Sequence, residues 1–224
     1  MKVDIISDTI CPWCYIGKQR FDRARAERPE IGFDITWRPF QLNPEMPDGG
    51  MDRETYLKAK FGGEAGARAA YAPVRQAAEG EGLDLRFDMI ARTPNTLDSH
   101  RLIRWARGVG QQDAMVTLLF QKYFEEGEDI GDPEVLVAAA GEAGLDPVLV
   151  AELLANGTDR DAIEAEDRTA RQMGIQGVPA FIFEDRILVT GAQDTSAFLE
   201  VFDKIEDLLL QIRAQDDDDI GGEN

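Results

Sequence analysis

A chain of 224 residues, 43% hydrophobic and 30% charged, has material for one large domain or a domain carrying an insertion. A chain of that size buries a sufficient core without covalent staples. Its 43 Asp and Glu against 24 Lys and Arg leave a net charge of −19, which argues against binding to nucleic acid or to anionic membrane surfaces. No basic and apolar leader precedes the first strand-like segment, and no apolar run approaches about 18 residues. The expectation is a cytoplasmic protein whose two cysteines stay reduced.

In chain order, "KVDIIS" is short, partly alternating and β-branched, and is expected as a strand. "CPWCYIGKQRFDRARAER" follows with helical composition and ends before Pro29. "FDITWRPFQL" is expected as a second strand, stopped by the Pro- and Gly-rich "NPEMPDGG". Residues 1–50 thus form a βαβ unit. Residues 51–174 contain helical segments only, with Asn95, Asp132 and Asp146 as caps and Pro133 and Pro147 at first helical positions. They show no fixed-period repeat. In 175–214, "GVPAFIFE" and "RILVTGA" form a hairpin around "EDR", followed by a helix. Residues 215–224, with the run Asp216 to Asp219, are expected as a solvated acidic tail.

Both cysteines, Cys11 and Cys14, stand in one CxxC. On a helical first turn, thiols at i and i+3 lie within disulfide reach, about 5–6 Å apart. Pro12 fits that turn because its missing N–H would find no partner there. Free N–H groups and the helix dipole favour a thiolate on Cys11, and the better shielded Cys14 can resolve a mixed disulfide. Zinc would need four ligands, and two cysteines with the single His100 leave the set incomplete, so no metal is expected. A cytosolic staple is the other alternative; a redox dithiol is favoured, because CxxC beside a βα unit is a redox pattern. The second clue is Pro179 at the mouth of a strand, where it removes a ladder donor. A cis Val178–Pro179 bond would account for it; a trans proline opening an edge strand is the plain alternative.

Taken together, "SDTICPWCYIGK", "RPFQLNP", "NTLDSHRL", "GVPAFIF" and "GAQ" resemble the thioredoxin superfamily. The likeness is to its DsbA branch, and within that to FrnE-type oxidoreductases. These are relatives of 2-hydroxychromene-2-carboxylate isomerases and kappa-class glutathione transferases. The resemblance implies an α/β thioredoxin fold, with an all-helical insertion between its βαβ and ββα halves. It implies a disulfide oxidoreductase with Cys11 attacking and Cys14 resolving, and Val178 and Pro179 offering backbone to an extended substrate. Pro12 and Trp13 border that site. Trp13 replaces the histidine of DsbA and supplies no cation to a thiolate, so a more reducing couple is expected. No resident cofactor is implied. Partners are a disulfide-containing protein or a small thiol, with glutathione as the relatives' co-substrate and a homodimer as the transferases' assembly. The isomerases and transferases usually carry serine at the position of Cys11, which sets this chain apart from them.

Around the dithiol the readings stay paired. His100 serves proton transfer or substrate contact, or is a solvated helix residue. Asn43 and Asn95 match positions near the relatives' substrate cleft, or serve as turn and cap. Gln193, Asp194 and Thr195 open the last helix, with a cap favoured over a carboxylate site. Leu102, Ile103, Leu118, Leu119 and Phe120 are expected in the core.

Overall fold

The structure, a computed structural model, describes residues 1–221, with side chains to residue 211. The chain runs β1 (Lys2–Ser7), α1 (Pro12–Ala26), β2 (Asp34–Pro39), β3 (Met51–Asp52), α2 (Arg53–Phe61), α3 (Glu64–Glu81) and β4 (Arg92–Thr93). It continues through α4 (Leu97–Arg107), α5 (Gln112–Phe124), α6 (Pro133–Glu142), α7 (Pro147–Ala155) and α8 (Arg160–Gln172). β5 (Ala180–Phe183), β6 (Ile187–Thr190) and α9 (Thr195–Gly221) complete it. Four strands form a sheet in the order β2-β1-β5-β6, with β1 parallel to β2 and the other pairs antiparallel. This is the thioredoxin arrangement, with the segment from β3 to α8 inserted between its halves.

The alternation expected of half-buried strands sorts the two faces. Val3 and Ile5 of β1, with Phe181 and Phe183 of β5, meet α1 and α9 in one core. Ile6 and Ala180 point the other way, onto Ala170 of α8 and Phe40. The first core centres on Phe21, whose ring lies 5.5 Å from those of Phe181 and Phe198 and 5.9 Å from that of Phe202. The insertion docks on the same helix: Tyr15 stacks on Phe120 at 5.0 Å and donates its hydroxyl to Glu125 at 2.7 Å. At the outer edge of β2, the Gln112 side chain pairs both backbone groups of Trp37, at 3.0 and 3.2 Å. That amide occupies ladder positions a neighbouring strand would otherwise seek.

Three expectations change. The insertion is not all-helical: β3 and β4 pair, Met51 with Thr93 and Asp52 with Arg92. Two-residue strands carry no alternation to read. Asp194 stands at the N-cap position of α9, its carbonyl accepting from Phe198 N at 3.2 Å, but neither expected side chain caps: the Asp194 carboxylate pairs with Arg20 at 2.9 Å and the Thr195 hydroxyl donates to the Arg20 carbonyl. The run Asp216 to Asp219 continues α9 rather than opening a separate tail; its side chains and residues 222–224 lie outside the described residues. Asp132 and Asp146 do cap their helices, with Pro133 and Pro147 following.

Candidate active site

The dithiol sits where β1 hands over to α1. Cys11 is the N-cap, in extended conformation at φ −91° and ψ 110°, Pro12 follows in the first turn, and no acidic residue stands in that turn. The positive end of the dipole therefore meets the Cys11 side chain without a competing carboxylate from its own helix. Both thiols are unpaired and buried, Cys11 at 4% exposure and Cys14 at 1%. Burial holds the Cys14 thiol well above its ordinary value, the neighbouring Cys11 sulfur adds to this, and the Ser7 hydroxyl and Asp8 amide oppose it. Trp13, between them, is half-buried.

The second half of the fold closes on this turn. The Val178–Pro179 bond is cis, and the Val178 carbonyl accepts from the Cys11 thiol at 3.6 Å. Gly17, two turns into the site helix, makes that approach possible. A Cβ there would stand 3.0 Å from the Pro179 ring and 3.4 Å from the Ala192 backbone. A groove bounded by Val178, Pro179 and the edge strand β6 continues outward from the loop.

The insertion contributes three sets of polar residues. The first, on α2 and α3, was not legible in the sequence. The guanidinium of Arg53 donates to Tyr71 at 2.9 Å and lies 5.6 Å from the rings of Tyr56 and Tyr71. The Tyr71 phenol is pushed up, first by burial and also by the charge of nearby Cys11. Lys60 donates to the Tyr56 hydroxyl at 2.7 Å and to Asn43 at 3.3 Å. Among the described residues neither Arg53 nor Lys60 has a carboxylate partner, and the buried Arg53 Nε has no acceptor. Asn43 thus joins a cationic, phenolic cluster.

The second set fixes the loop after β2. Asn95 donates to the Met46 carbonyl at 2.7 Å and accepts from Leu97 N at 2.9 Å and from Gln41 at 3.2 Å, so its role is structural. The third is His100, which is buried at 3% exposure rather than solvated. Its Nε2 faces the Asp8 carboxylate at 3.5 Å. The adjacent Ser99 and Thr9 hydroxyls hydrogen-bond at 2.8 Å and hold α4 against the dithiol loop. Leu102, Ile103, Leu119 and Phe120 lie in the core as expected, and Leu118 packs against it. Among the described residues, no three His, Cys, Asp or Glu side chains converge as metal ligands, and no helix is long and apolar enough to cross a membrane.

A dithiol at a helix N-terminus, facing a cis-proline loop across a thioredoxin sheet, defines the thioredoxin-like class. Residues 2–203 match the DSBA-like thioredoxin domain, and the chain belongs to that family of oxidoreductases. A Streptomyces coelicolor structure described as a probable DsbA oxidoreductase, SCO1869, is 34% identical with a TM-score of 0.80, over 90% of this chain and 88% of that one. Two further structures share the fold. The cytosolic disulfide reductase DsbM of Pseudomonas aeruginosa, solved also with GSH, is 21% identical with a TM-score of 0.62, covering 96% of this chain and 100% of its own. A 2-hydroxychromene-2-carboxylate isomerase is 17% identical with a TM-score of 0.65, over 97% and 98% of the two chains.

Proposed function

We propose that this protein is a cytoplasmic thiol–disulfide oxidoreductase that reduces or isomerises substrate disulfides through Cys11 and Cys14. The observation that carries this reading is the unpaired dithiol at the start of α1, with Cys11 against the Val178 carbonyl. The Cys11 thiolate attacks a substrate disulfide, and one substrate sulfur leaves as a thiolate. Cys14 then attacks the Cys11 sulfur, releasing the second substrate sulfur and leaving Cys11 and Cys14 joined. An external dithiol or two thiols restore the pair, so the reaction needs no resident cofactor. The extended substrate pairs with the backbone at Val178, beside Pro179, while Pro12 and Trp13 shape the lip of the site. Because Trp13 offers no cation, the couple lies below the potential of DsbA, about −120 mV. In a reducing compartment that direction is net reduction; the DsbM neighbour is itself described as cytosolic.

A second reading has its own support in the Arg53, Lys60 and Asn43 cluster, whose Tyr71 feels the charge of Cys11. Such a site suits the carboxylates of a small thiol such as glutathione, either as the reductant or as the co-substrate of an isomerase or transferase. Dithiothreitol-driven insulin reduction by wild type, Cys11→Ser and Cys14→Ser separates the two. The oxidoreductase reading expects turnover in wild type and at least about a hundredfold loss in the Cys11 variant. It also expects a trapped mixed disulfide in the Cys14 variant, seen by mass spectrometry. Wild type without turnover above background, but binding glutathione irrespective of Cys14, would favour the isomerase or transferase reading.

A further inference from the structure

Resting on the oxidoreductase reading, a question remains about the second exchange step. Cys14 must lose its proton before it can attack, yet the residue is 1% exposed and buried deeper than Cys11. Bulk water cannot collect that proton directly. Asp8 and His100 lie beside the dithiol with no other assigned task.

Asp8 is fully buried and wraps the dithiol turn with its backbone. Its carbonyl accepts from Cys11 N at 3.0 Å, and its amide works against the upward push of burial on the Cys14 thiol. Its carboxylate divides its work: Oδ2 accepts from Leu42 N at 2.6 Å, whereas Oδ1 has no hydrogen bond among the described residues. The open oxygen faces His100 Nε2 at 3.5 Å, which also has no partner. A buried carboxylate without a Lys or Arg partner, aimed at a buried imidazole, is the arrangement that stabilises an imidazolium when one forms. His100 also borders open space. It lines a cavity of about 440 Å³ between β2, α4, α5 and α8, and Ser7, whose hydroxyl works against the upward push of burial on the Cys14 thiol, lines the same cavity.

We infer that the Asp8–His100 pair accepts the Cys14 proton during resolution, with this cavity as its outlet to solvent. The Cys14 proton passes by way of the Ser7 hydroxyl and cavity water to the imidazole, and Asp8 holds the resulting imidazolium. The Cys14 thiolate attacks the Cys11 sulfur of the mixed disulfide. A Cys11–Cys14 bond forms, the bond to the substrate sulfur breaks, and its electron pair leaves with that sulfur. The imidazolium then returns its proton to the departing thiolate or to the cavity. The other charges facing this cavity are Arg38 from β2, Glu166 from α8, and Arg104 and Arg107 from α4 itself. Arg38 and Arg104 both pair with Glu166. That leaves Asp8 as the charge in direct contact with His100.

The two steps can be watched separately. Reduced full-length protein mixed with 5,5′-dithiobis(2-nitrobenzoate) releases one nitrothiobenzoate when Cys11 attacks and a second when Cys14 resolves. Stopped-flow traces from pH 6 to 9 are compared for wild type, His100→Asn, Asp8→Asn and the double variant. The first release is expected to stay within about twofold. The second is expected to slow about a hundredfold near pH 7, within the range of general acid–base contributions. Its rate should climb with pH as hydroxide takes over, and the double variant should be no slower than either single one. A second release unchanged in His100→Asn overturns the inference, as does equal slowing of both releases, the mark of a displaced dithiol. His100→Asn suffices should Asp8→Asn fail to fold. Wild type lacking a second release, or one that survives Cys14→Ser, would instead overturn the dithiol reading itself.

Discussion

Phe21 and Arg101 are both among the largest fully buried side chains, and they anchor the two regions of the molecule by different physics. Phe21 lies in the thioredoxin halves among the rings of Phe33, Phe181, Phe183, Phe198 and Phe202, a core without a polar atom at its centre. Arg101 lies in the insertion, donating to the carbonyls of Leu153, Leu154 and Thr158 and to the Asp98 carboxylate, with its guanidinium 4.9 Å from the Trp105 ring. Nearby, Lys122 is held by Glu128 and Glu142 in the same manner. Apolar packing is tolerant of direction and gives the dithiol and the proline loop a stiff frame. Directional bonds fix the register of the inserted helices, which present His100, Arg53 and Tyr71 to that frame. In the proposed function the halves carry the sulfur chemistry, and the insertion supplies His100, Arg53 and Tyr71 around it.

The contrast can be broken at its two anchors. Phe21→Ala removes a ring on which both halves of the fold converge and is expected to cost about 3–5 kcal/mol in urea unfolding. Arg101→Met, of similar volume, strands three carbonyls and leaves Asp98 to Arg160 alone, and is expected to cost about 3 kcal/mol. Its additional loss should be a faster backbone hydrogen exchange in α4 and α7 than in β1 and β5. Equal exchange in both regions would show that the insertion is not held separately.

A finer cut separates position from stability. Gly17→Ala improves helix propensity by about 1 kcal/mol but pushes the Pro179 ring away from α1. Insulin turnover is expected to fall about five- to tenfold while the urea midpoint moves little, because small misplacements cost far more in rate than in stability. Turnover at the wild-type level would mean that the loop yields without consequence.

The smallest effect sits on the seam. Asp113 of α5 accepts from Trp37 Nε1 of β2 at 3.1 Å and pairs with Arg25 and Lys18 of α1. Burial works against its charge, but Lys18, Arg25 and the indole outweigh it, and the carboxyl is held below its ordinary value. A depressed carboxylate stabilises the fold above its unfolded value, near pH 4, and that contribution is lost as pH falls through the folded value. Asp113→Asn should therefore lower the melting temperature at neutral pH and flatten its decline below about pH 4. An acid limb of unchanged slope would place acid sensitivity elsewhere, as in the other seam carboxylates.

Much of this architecture was legible because its signals are local. The CxxC with Pro12, the caps at Asp132 and Asp146, and the "GVPAFIF" strand entry each declare themselves within a few residues. What was not legible depends on pairs far apart in the chain. Asp8 lies inside the quoted dithiol stretch, but only the placement of His100 beside it gives it meaning. Gly17 looks like an ordinary helical glycine until Pro179, from the opposite end of the fold, arrives against it. The Arg53 cluster is assembled from α2, α3 and the loop after β2, and no spacing rule links these residues. The same limit explains the capping error at α9: Asp194 and Thr195 have cap-like side chains, but Arg20 engages both residues first.

The cations Arg53 and Lys60 sit within a chain of net charge −19, and this opposition has a kinetic consequence. At distances beyond the screening length, about 8 Å at physiological salt, an acidic partner meets only the repulsive envelope. Inside that range Arg53 and Lys60 attract it. Slow encounter and firm capture would then coexist, and added salt would quicken arrival while loosening the hold. The envelope would thus act as a sieve, admitting small anions by chance collision and turning away large acidic proteins before contact.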